Sequence, residues 1–216
     1  RHILVKLSPM ADITMACSRL GRTCREVHIV ASGGECKELL IWMDREWDDE
    51  YSIHAAELPN DYPESSPAIF SFRPSEEKSA SHYGITAKVS AERYLFEPGK
   101  AMMKSGAFNL LATHFEIAKL GKSTHYYITD SEAKAQTLKS YGKVFKIIEI
   151  HPLDKRSITA IGKKYPKAEV TARNIPMDTD TLRKKTGVTS GDDAHIFGLK
   201  SDSLGNLLLC TNRVLQ

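Results

Sequence analysis

The sequence predicts an α/β fold, and three observations lead to this class. An apolar run at Ile3–Leu7 passes directly into a loop and then into a helix-like segment at Ile13–Leu20. From Gly142 to Thr211 the pattern alternates between short apolar strands and amphipathic helices. The 216 residues are 41% hydrophobic and 26% charged, a composition that can fill one large core or two small ones.

The N-terminal segment Ile3–Asp12 has the pattern of a buried parallel strand followed by a turn. Such strands are covered on both faces, and their sequences are continuous apolar runs closed by turn residues. Only two residues precede this strand and cannot supply the neighbours that it needs, so we expect a fragment whose N-terminal part is missing. Glu26–Met43 then predicts two strands, because Gly33-Gly34 suits a turn or bulge between them. Tyr51–Ala56 predicts a further strand.

The middle of the chain is predicted to be less regular. Leu58–Pro67 contains three prolines, which fix backbone dihedrals, so it should be a linker or a long ordered loop. Arg73–Ser81 has almost nothing to bury and is expected to be disordered. A helix is predicted to begin at Pro98, and Gly106–Leu120 has the spacing of an amphipathic helix that Gly121 would cap.

The C-terminal elements alternate more regularly, and aspartates stand where helices should begin. The predicted order is a strand at Gly142–Ile150, a helix from Asp154 to about Lys164, a strand at Ala168–Ala172, a helix from Asp178 to just before Gly187, and a pair of strands at Ala194–Leu199 and Asn206–Thr211. Such a module can bury its helices on one face of a sheet and leave the other face or an edge for a ligand.

The basic residues are concentrated at the C-terminal end. Residues 131–216 contain 15 Lys and Arg against 9 Asp and Glu, a net charge of +6, whereas residues 1–73 carry a net charge of −4. Clustered cations are typical of nucleic-acid-binding modules because they neutralise phosphates, and an ordinary solvated surface is the plain alternative. Charge alone leaves both an RNA partner and an ordinary surface open.

The sequence argues against several other classes. The four cysteines form no Cys-x-x-Cys pair and the eight histidines are scattered, so we predict free thiols in a reducing compartment and no metal site. Neither a Ser/His/Asp nor a Cys/His signature of a hydrolase is present. No apolar run approaches the length of a membrane span and no signal-like segment opens the chain, so a cytoplasmic location is expected.

Several stretches resemble one known family. Ile3–Asp12, Ile13–Leu20 and Glu26–Met43 together look like the last third of a bacterial class I S-adenosylmethionine-dependent methyltransferase domain. Tyr94–Gly106 is similar to a segment that follows this domain, and the block from about Ser140 to Asn212 resembles the THUMP-like domain at the C-terminus of such proteins. The resemblance implies the C-terminal portion of a Rossmann-like methyltransferase sheet, followed by a small α/β THUMP-like module.

The resemblance also implies a domain organisation and the place of the cofactor. Residues 1–64 would end the methyltransferase domain, 65–130 would connect, and 131–216 would be the THUMP-like domain. Class I methyltransferases bind S-adenosylmethionine with a glycine-rich turn after the first strand and an acidic residue after the second, and this sequence has only the pair Gly33-Gly34. The strands would therefore be the fifth to seventh of the sheet. The cofactor-binding and catalytic residues are expected upstream of Arg1, and we expect no S-adenosylmethionine to bind to this chain.

Two groups of residues are candidates for binding. Substrate-side candidates lie at or after the carboxyl end of the first predicted strand, or on one face of the helix predicted to begin at Pro98. They are Lys6, Ser8, Asp12, Glu97, Lys100 and Lys104. RNA-binding candidates are basic and interleaved with aromatic residues, and they are Lys143, Lys146, Arg173, Arg183, Lys184 and Lys185. Plain structural interpretations exist for each group, namely a helix cap, a salt-bridged helix face and compensation of a helix dipole.

Two functional hypotheses follow. In the first, the chain belongs to an RNA methyltransferase and contributes one wall of the active-site domain together with a substrate-recognition module. In the second, it is a non-catalytic RNA- or protein-binding module on a methyltransferase-like scaffold. Fold resemblance alone does not decide between them, because one fold can serve many functions.

Overall fold

The computed structural model describes residues 1–81, 91, 93–191 and 194–214. They form two compact units. Unit 1 comprises residues 1–81, 98–113 and 140–142, and unit 2 comprises the described residues within 82–97, 114–139 and 143–216. Helices and strands are mixed along the chain, which confirms the predicted α/β class. The predicted segment boundaries at residues 64 and 130 stay predictions.

Unit 1 is built, within the described residues, from five strands and four helices. In order they are β1 (His2–Leu7), α1 (Ile13–Leu20), β2 (Cys24–Ser32), β3 (Glu35–Asp44), β4 (Ser52–Leu58), β5 (Ala68–Phe72), α2 (Pro74–Ser79), α3 (Lys100–Ser105) and α4 (Phe108–His114). A short 3-10 helix, Gly21–Thr23, precedes β2.

The sheet of unit 1 has the strand order β1-β3-β2-β4-β5. β2 and β4 run parallel, and the other neighbouring strands are antiparallel. One face is buried, since Val27, Ile29 and Ile53 are at most 5% exposed, and α3 packs against β2, β3 and β4. Side chains alternate between the faces of a sheet, so the intervening residues of β2 and β4 lie on the other face, where they are half-buried.

The strand β1 differs from its prediction. It pairs antiparallel to β3 at the edge of the sheet, and Ile3 and Leu4 are 57% and 66% exposed. The apolar run correctly predicts a strand, but burial depends on neighbours, and within the described residues β1 has a strand on one side only. The turn predicted at Gly33 and Gly34 is confirmed, because both adopt positive φ (60° and 78°) in the hairpin that joins β2 to β3.

Unit 2 is built, in the part of the chain that the structure describes, from seven strands and three helices. In order they are β6 (Tyr94–Pro98), β7 (Ala118–Lys119), β8 (Tyr127–Thr129), α5 (Glu132–Leu138), β9 (Gly142–Pro152), α6 (Lys155–Lys164), β10 (Glu169–Arg173), α7 (Thr179–Thr186), β11 (Ala194–Ser201) and β12 (Gly205–Arg213). A short 3-10 helix, Lys139–Tyr141, precedes β9.

The sheet of unit 2 has the order β10-β11-β12-β9-β6-β8-β7, with β10 parallel to β11. The predicted hairpin of β11 and β12 is confirmed, as are the two helix caps, because Asp154 and Asp178 each accept a backbone N–H at 2.7 Å. One face buries Ile158, Ile161 and Leu182 of α6 and α7 against the strands. The other face carries a second cluster that contains Phe145, Phe197, Leu209, Leu95 and Ile128.

The segment Arg73–Ser81, predicted to be disordered, contains helix α2. Its polar side chains form hydrogen bonds instead of burying apolar area. The Glu76 carboxylate accepts the backbone N–H of Arg73 (2.6 Å), and the Glu77 carboxylate accepts the backbone N–H of Asn109 (2.9 Å). The prediction was wrong because it counted only apolar side chains.

The helices predicted around residues 98–120 are shorter than expected. Pro98 is the last residue of β6, and α3 begins at Lys100. The amphipathic pattern of Gly106–Leu120 forms a helix only to His114, after which Glu116 adopts a positive φ of 49° and the chain enters β7. A left-handed residue cannot continue an α-helix, so the helical spacing beyond it has no helical consequence. No helix among the described residues is long and apolar enough to cross a membrane.

Candidate nucleic-acid interface

Unit 2 contains a cleft of about 720 Å³ whose walls come from β9, β10, β11, β12 and the segment before β11. Its lining residues are Lys143, Phe145, Glu169, Ser190, Gly191, Ala194, His195 and Arg213. The strand register explains this grouping, because Phe145 lies opposite Arg213 and Glu169 lies opposite His195. The cleft combines two cations, a carboxylate, an imidazole and an aromatic ring.

The imidazole of His195 is fixed by its neighbours in this cleft. Its Nε2 lies 2.8 Å from the Thr171 hydroxyl, and its ring stacks on Phe197 with 3.9 Å between centroids and 5° between planes. Phe145 meets the same ring edge-on at 5.2 Å. Burial, above all, lowers the pKa of His195 to about 4, so the ring is uncharged at neutral pH. An uncharged planar ring in a cleft is suited to contact with a nucleobase.

The carboxylate of Glu169 already has partners. The Ser190 hydroxyl donates to it, and Arg183 forms an ion pair with it at 3.3 Å. The Ser190 hydrogen bond and then Arg183 hold the pKa of Glu169 below its usual range, so the carboxylate is ionised at neutral pH. Arg183 therefore balances this negative charge. Lys143 and Arg213, both exposed, are the cations that line the cleft.

The remaining RNA-binding candidates lie outside the lining of the cleft. Lys146 is half-buried on β9. Arg173 is exposed and lies on the same face of β10 as Glu169, at the opposite end of the strand. The backbone rise of a β-strand puts the two residues about 13 Å apart. Lys184 and Lys185 are exposed in the last turn of α7. Of the six predicted residues, the structure brings Lys143 into the cleft and places Arg183 behind its carboxylate.

The first substrate-side candidates have structural partners in unit 1. Lys6 is exposed and forms an ion pair with Glu38 at 2.8 Å. The Ser8 hydroxyl accepts the backbone N–H of Met10 at 3.2 Å, and the Asp12 carboxylate caps α1. These contacts match the plain interpretations of a surface charge, a turn and a helix cap. Whether these residues also face a substrate stays a prediction.

The second substrate-side set is not arranged as predicted. Glu97 lies on β6, because the chain is still a strand at this point. Its carboxylate accepts a hydrogen bond from the Tyr126 hydroxyl at 2.8 Å. The prediction that Glu97 shares a helix face with Lys100 and Lys104 is therefore wrong. Lys100 is the exposed first residue of α3. Lys104 donates from Nζ to the backbone oxygen of Ala11 at 2.7 Å, which joins α3 to the loop before α1.

Sequence reasoning missed most lining residues of the cleft, among them His195 and Arg213. Both lie on strands of the predicted hairpin, where His195 is directly opposite Thr211, two residues before Arg213. Because alternate residues share a face, the register of this hairpin was the signal that could have found them.

In unit 1, Glu57 is a polar residue that the sequence analysis did not single out. Its carboxylate accepts the backbone N–H groups of Ala101 (2.7 Å) and Met102 (3.3 Å) at the start of α3. Burial raises the pKa of this carboxyl group, against the lowering effect of the two backbone hydrogen bonds. A side chain at Gly99 would overlap Glu57, since an added Cβ would lie 2.2 Å from its Oε1. Glycine at this position therefore permits the carboxylate to cap α3.

The adjacent glycines Gly33 and Gly34 do not form the kind of turn that holds S-adenosylmethionine in class I methyltransferases. Glycine-rich cofactor turns lead from a strand into a helix, where backbone N–H groups face the ligand. Gly33 and Gly34 instead join two antiparallel strands.

Two family models match parts of the chain. A family model described as a THUMP domain-like family matches residues 142–212, and a model described as a ferredoxin-like domain matches residues 94–136. The prediction of a THUMP-like domain from about Ser140 to Asn212 is thereby confirmed, whereas the ferredoxin-like domain was not predicted. No curated protein sequence matches the chain.

One solved structure is similar over nearly the whole chain. It is a crystal structure described as a "putative methyltransferase" from Porphyromonas gingivalis W83, with 28% sequence identity and a TM-score of 0.85. The similarity covers 99% of this chain and 51% of the other, so the chain spans about half the length of that protein. The chain is thus methyltransferase-like in fold and carries a THUMP-like domain at residues 142–212.

Proposed function

We propose that this chain is the RNA-recognition part of an S-adenosylmethionine-dependent RNA methyltransferase, and that its THUMP-like domain binds single-stranded RNA through the cleft of unit 2. The observation that carries the proposal is the combination, in one cleft of that domain, of two exposed cations, Lys143 and Arg213, with the uncharged ring of His195. Phosphates pair with cations, and unstacked bases contact planar rings.

One further exposed cation, Arg173, stands at the end of β10 that is remote from the cleft. Glu169 and Arg173 mark the two ends of this strand, and Lys143 and Arg213 lie at the Glu169 end. An RNA strand that leaves the cleft along β10 would meet Arg173 after about 13 Å, the length of this five-residue strand. Arg173 would then be a phosphate contact outside the cleft, as the sequence predicts.

Fluorescence anisotropy with a labelled single-stranded RNA, repeated over a range of salt concentrations, tests the cleft. Each phosphate contact contributes about −0.7 to the log-log slope of affinity against salt. Lys143→Ala/Arg213→Ala should flatten the slope by about 1.4 and weaken binding at low salt. The matched control is Lys184→Ala/Lys185→Ala, which removes the same charge from the exposed end of α7 and should leave the slope unchanged.

The outcomes separate the two basic patches. If the α7 control flattens the slope and the cleft variant does not, the RNA site is the helix end and the cleft proposal is wrong. If neither changes, the described basic residues of both patches carry no RNA contact, and the non-catalytic protein-binding hypothesis becomes the better one.

Calorimetry tests the cofactor assignment separately. The chain should give no saturable heat with S-adenosylmethionine, because its only glycine pair forms a hairpin turn. Micromolar binding of S-adenosylmethionine to this chain would contradict the proposal that residues upstream of Arg1 supply the cofactor site. RNA binding without any effect of S-adenosylmethionine on affinity would be the result expected for this chain alone.

A further inference from the structure

Three side chains from two parallel strands meet on the half-buried face of the unit 1 sheet. The register places His28 of β2 directly opposite His54 of β4, and Glu26 precedes His28 by two residues on the same face. The neighbouring residues Val27 and Ile29 point to the opposite, buried face. The fold therefore presents two imidazoles and one carboxylate side by side, away from the core.

The distances within this trio are close to those of a metal site. His28 Nε2 lies 3.0 Å and His54 Nε2 4.0 Å from the same oxygen of Glu26, and one ligand atom of each residue lies within 4.8 Å of the other two. Zinc bound tetrahedrally at about 2.0–2.1 Å keeps its ligand atoms about 3.3 Å apart. Side-chain rotation would have to close the widest separation by at most about 1.5 Å, since the strands already set the positions of the Cβ atoms.

Two serines orient His54 as outer-shell groups orient metal-binding histidines. Its Nδ1 lies 2.8 Å from the Ser71 hydroxyl of β5, and its Nε2 lies 2.9 Å from the Ser52 hydroxyl. A hydrogen bond from Nδ1–H to Ser71 leaves the lone pair on Nε2, the ring nitrogen that lies 4.0 Å from Glu26 and that now accepts the Ser52 hydroxyl. The ring also stacks on His28 with 4.7 Å between centroids and 21° between planes, so one imidazole has to turn out of the stack for both Nε2 lone pairs to meet at one ion.

The positive charge nearest to the trio is directed elsewhere. Arg25 contacts the other oxygen of Glu26 through Nε at 3.6 Å, and its guanidinium forms its closer ion pair with Asp44 at 2.9 Å. The same guanidinium lies over the rings of Trp42 and Trp47 at 5.1 and 5.0 Å. The Glu26 oxygen that faces the histidines is therefore the one left for a cation.

We propose that Glu26, His28 and His54 bind one divalent transition-metal ion, with Zn²⁺ the best match. Two imidazoles and one carboxylate suit zinc, nickel or copper, whereas magnesium and calcium prefer oxygen ligands alone. Three protein ligands leave the fourth position of a tetrahedral ion to water, with the Ser52 hydroxyl close to that position. The bound ion would join β2 to β4 across the parallel pair.

The test is calorimetric titration of the chain with ZnCl2, together with absorption spectra on adding CoCl2. We expect one-to-one binding and the visible bands of tetrahedral cobalt. His28→Gln and His54→Gln should each weaken binding at least 10–100-fold, which is the loss that removal of even an outer-shell partner causes, and Ser71→Ala should weaken it within that range. Trp42 lies directly opposite Glu26 on β3, so cobalt binding should also quench tryptophan fluorescence.

The matched control is His151→Gln on β9. Glu149 and His151 repeat the spacing of Glu26 and His28, with 3.0 Å between Nε2 and Oε2, but Glu149 is occupied by Lys164 and Tyr165. His151→Gln should leave zinc affinity unchanged.

Absence of saturable zinc binding would overturn the proposal. So would binding that survives both His28→Gln and His54→Gln, or a cobalt spectrum dominated by thiolate charge-transfer absorption, which would assign the ion to cysteine. Should either glutamine variant fail to fold, selective cobalt broadening of the His28 and His54 ring protons in the wild-type NMR spectrum gives the same decision.

Discussion

Replacement of His195 by glutamine should make unit 2 less sensitive to acid. Burial lowers the pKa of this imidazole from 6.5 to about 4 in the folded chain. Between these two pH values the unfolded chain takes up the proton and the folded chain does not, so the free energy of unfolding falls as the pH decreases. At about 1.4 kcal/mol per pH unit, protonation of His195 lowers the free energy of unfolding by about 3 kcal/mol at most, because part of the ring still touches solvent.

The glutamine variant lacks this proton-linked penalty. At neutral pH His195→Gln should be less stable than the wild type, because the stacking on Phe197 and the contact with Thr171 are lost or weakened. The deficit should then shrink, by up to about 3 kcal/mol, as the pH is lowered from about 7 to about 4. Urea unfolding followed by far-ultraviolet circular dichroism measures the difference at each pH.

The chain offers two internal controls for this experiment. Trp42 and Trp47, the two tryptophans, both lie in unit 1, so tryptophan fluorescence should report no pH-linked effect of the substitution. Thr171→Val removes the hydroxyl contact but keeps the imidazole buried, and it should retain most of the acid sensitivity because burial is the main cause of the low pKa. A stability difference between wild type and His195→Gln that stays constant with pH would refute this reasoning.

Three further substitutions test the packing. Gly162→Ala should destabilise unit 2 by about 1–3 kcal/mol, because the added Cβ would lie 1.8 Å from the backbone oxygen of Thr186. This loss should outweigh the better helix propensity of alanine, which is worth about 1 kcal/mol. A variant that is more stable in urea unfolding would contradict the close approach of α6 and α7. Asp178→Ala should cost about 1 kcal/mol by removing the cap of α7, measured in the same way. Glu57→Ala should cost about 1–3 kcal/mol, visible by tryptophan fluorescence, because it leaves the first N–H groups of α3, including that of Ala101, without their acceptor.

Features that depend on neighbouring residues in the sequence were predicted well. The caps at Asp154 and Asp178 and the turn at Gly33-Gly34 follow from local chemistry, namely a carboxylate that accepts a backbone N–H and residues that tolerate positive φ. The helical pattern of Gly106–Leu120 failed at Glu116, whose positive φ ends the helix while the apolar spacing continues.

Features that depend on distant partners were not predictable in the same way. The segment Arg73–Ser81 is helical partly because the Glu77 carboxylate meets backbone N–H groups more than thirty residues away, at Asn109 and Leu110. The cleft likewise requires the register that sets Phe145 against Arg213. Composition located the basic block that contains this cleft, but it could not say which cations line it and which pair with a carboxylate.

The two Glu-x-His pairs show why a motif search found no metal site. Glu26 and His28 share one face of β2, and Glu149 and His151 have the same spacing on β9. In each pair the histidine Nε2 lies 3.0 Å from a carboxylate oxygen. Their chemistry diverges through partners from other strands and helices. The register of β4 adds a second imidazole to the first pair, whereas α6 and the residue after it add an ammonium and a phenol to the second, which holds the pKa of Glu149 down to about 2. A cation is therefore expected at the first pair and excluded from the second by a lysine already in place, although two residues of sequence are the same in both.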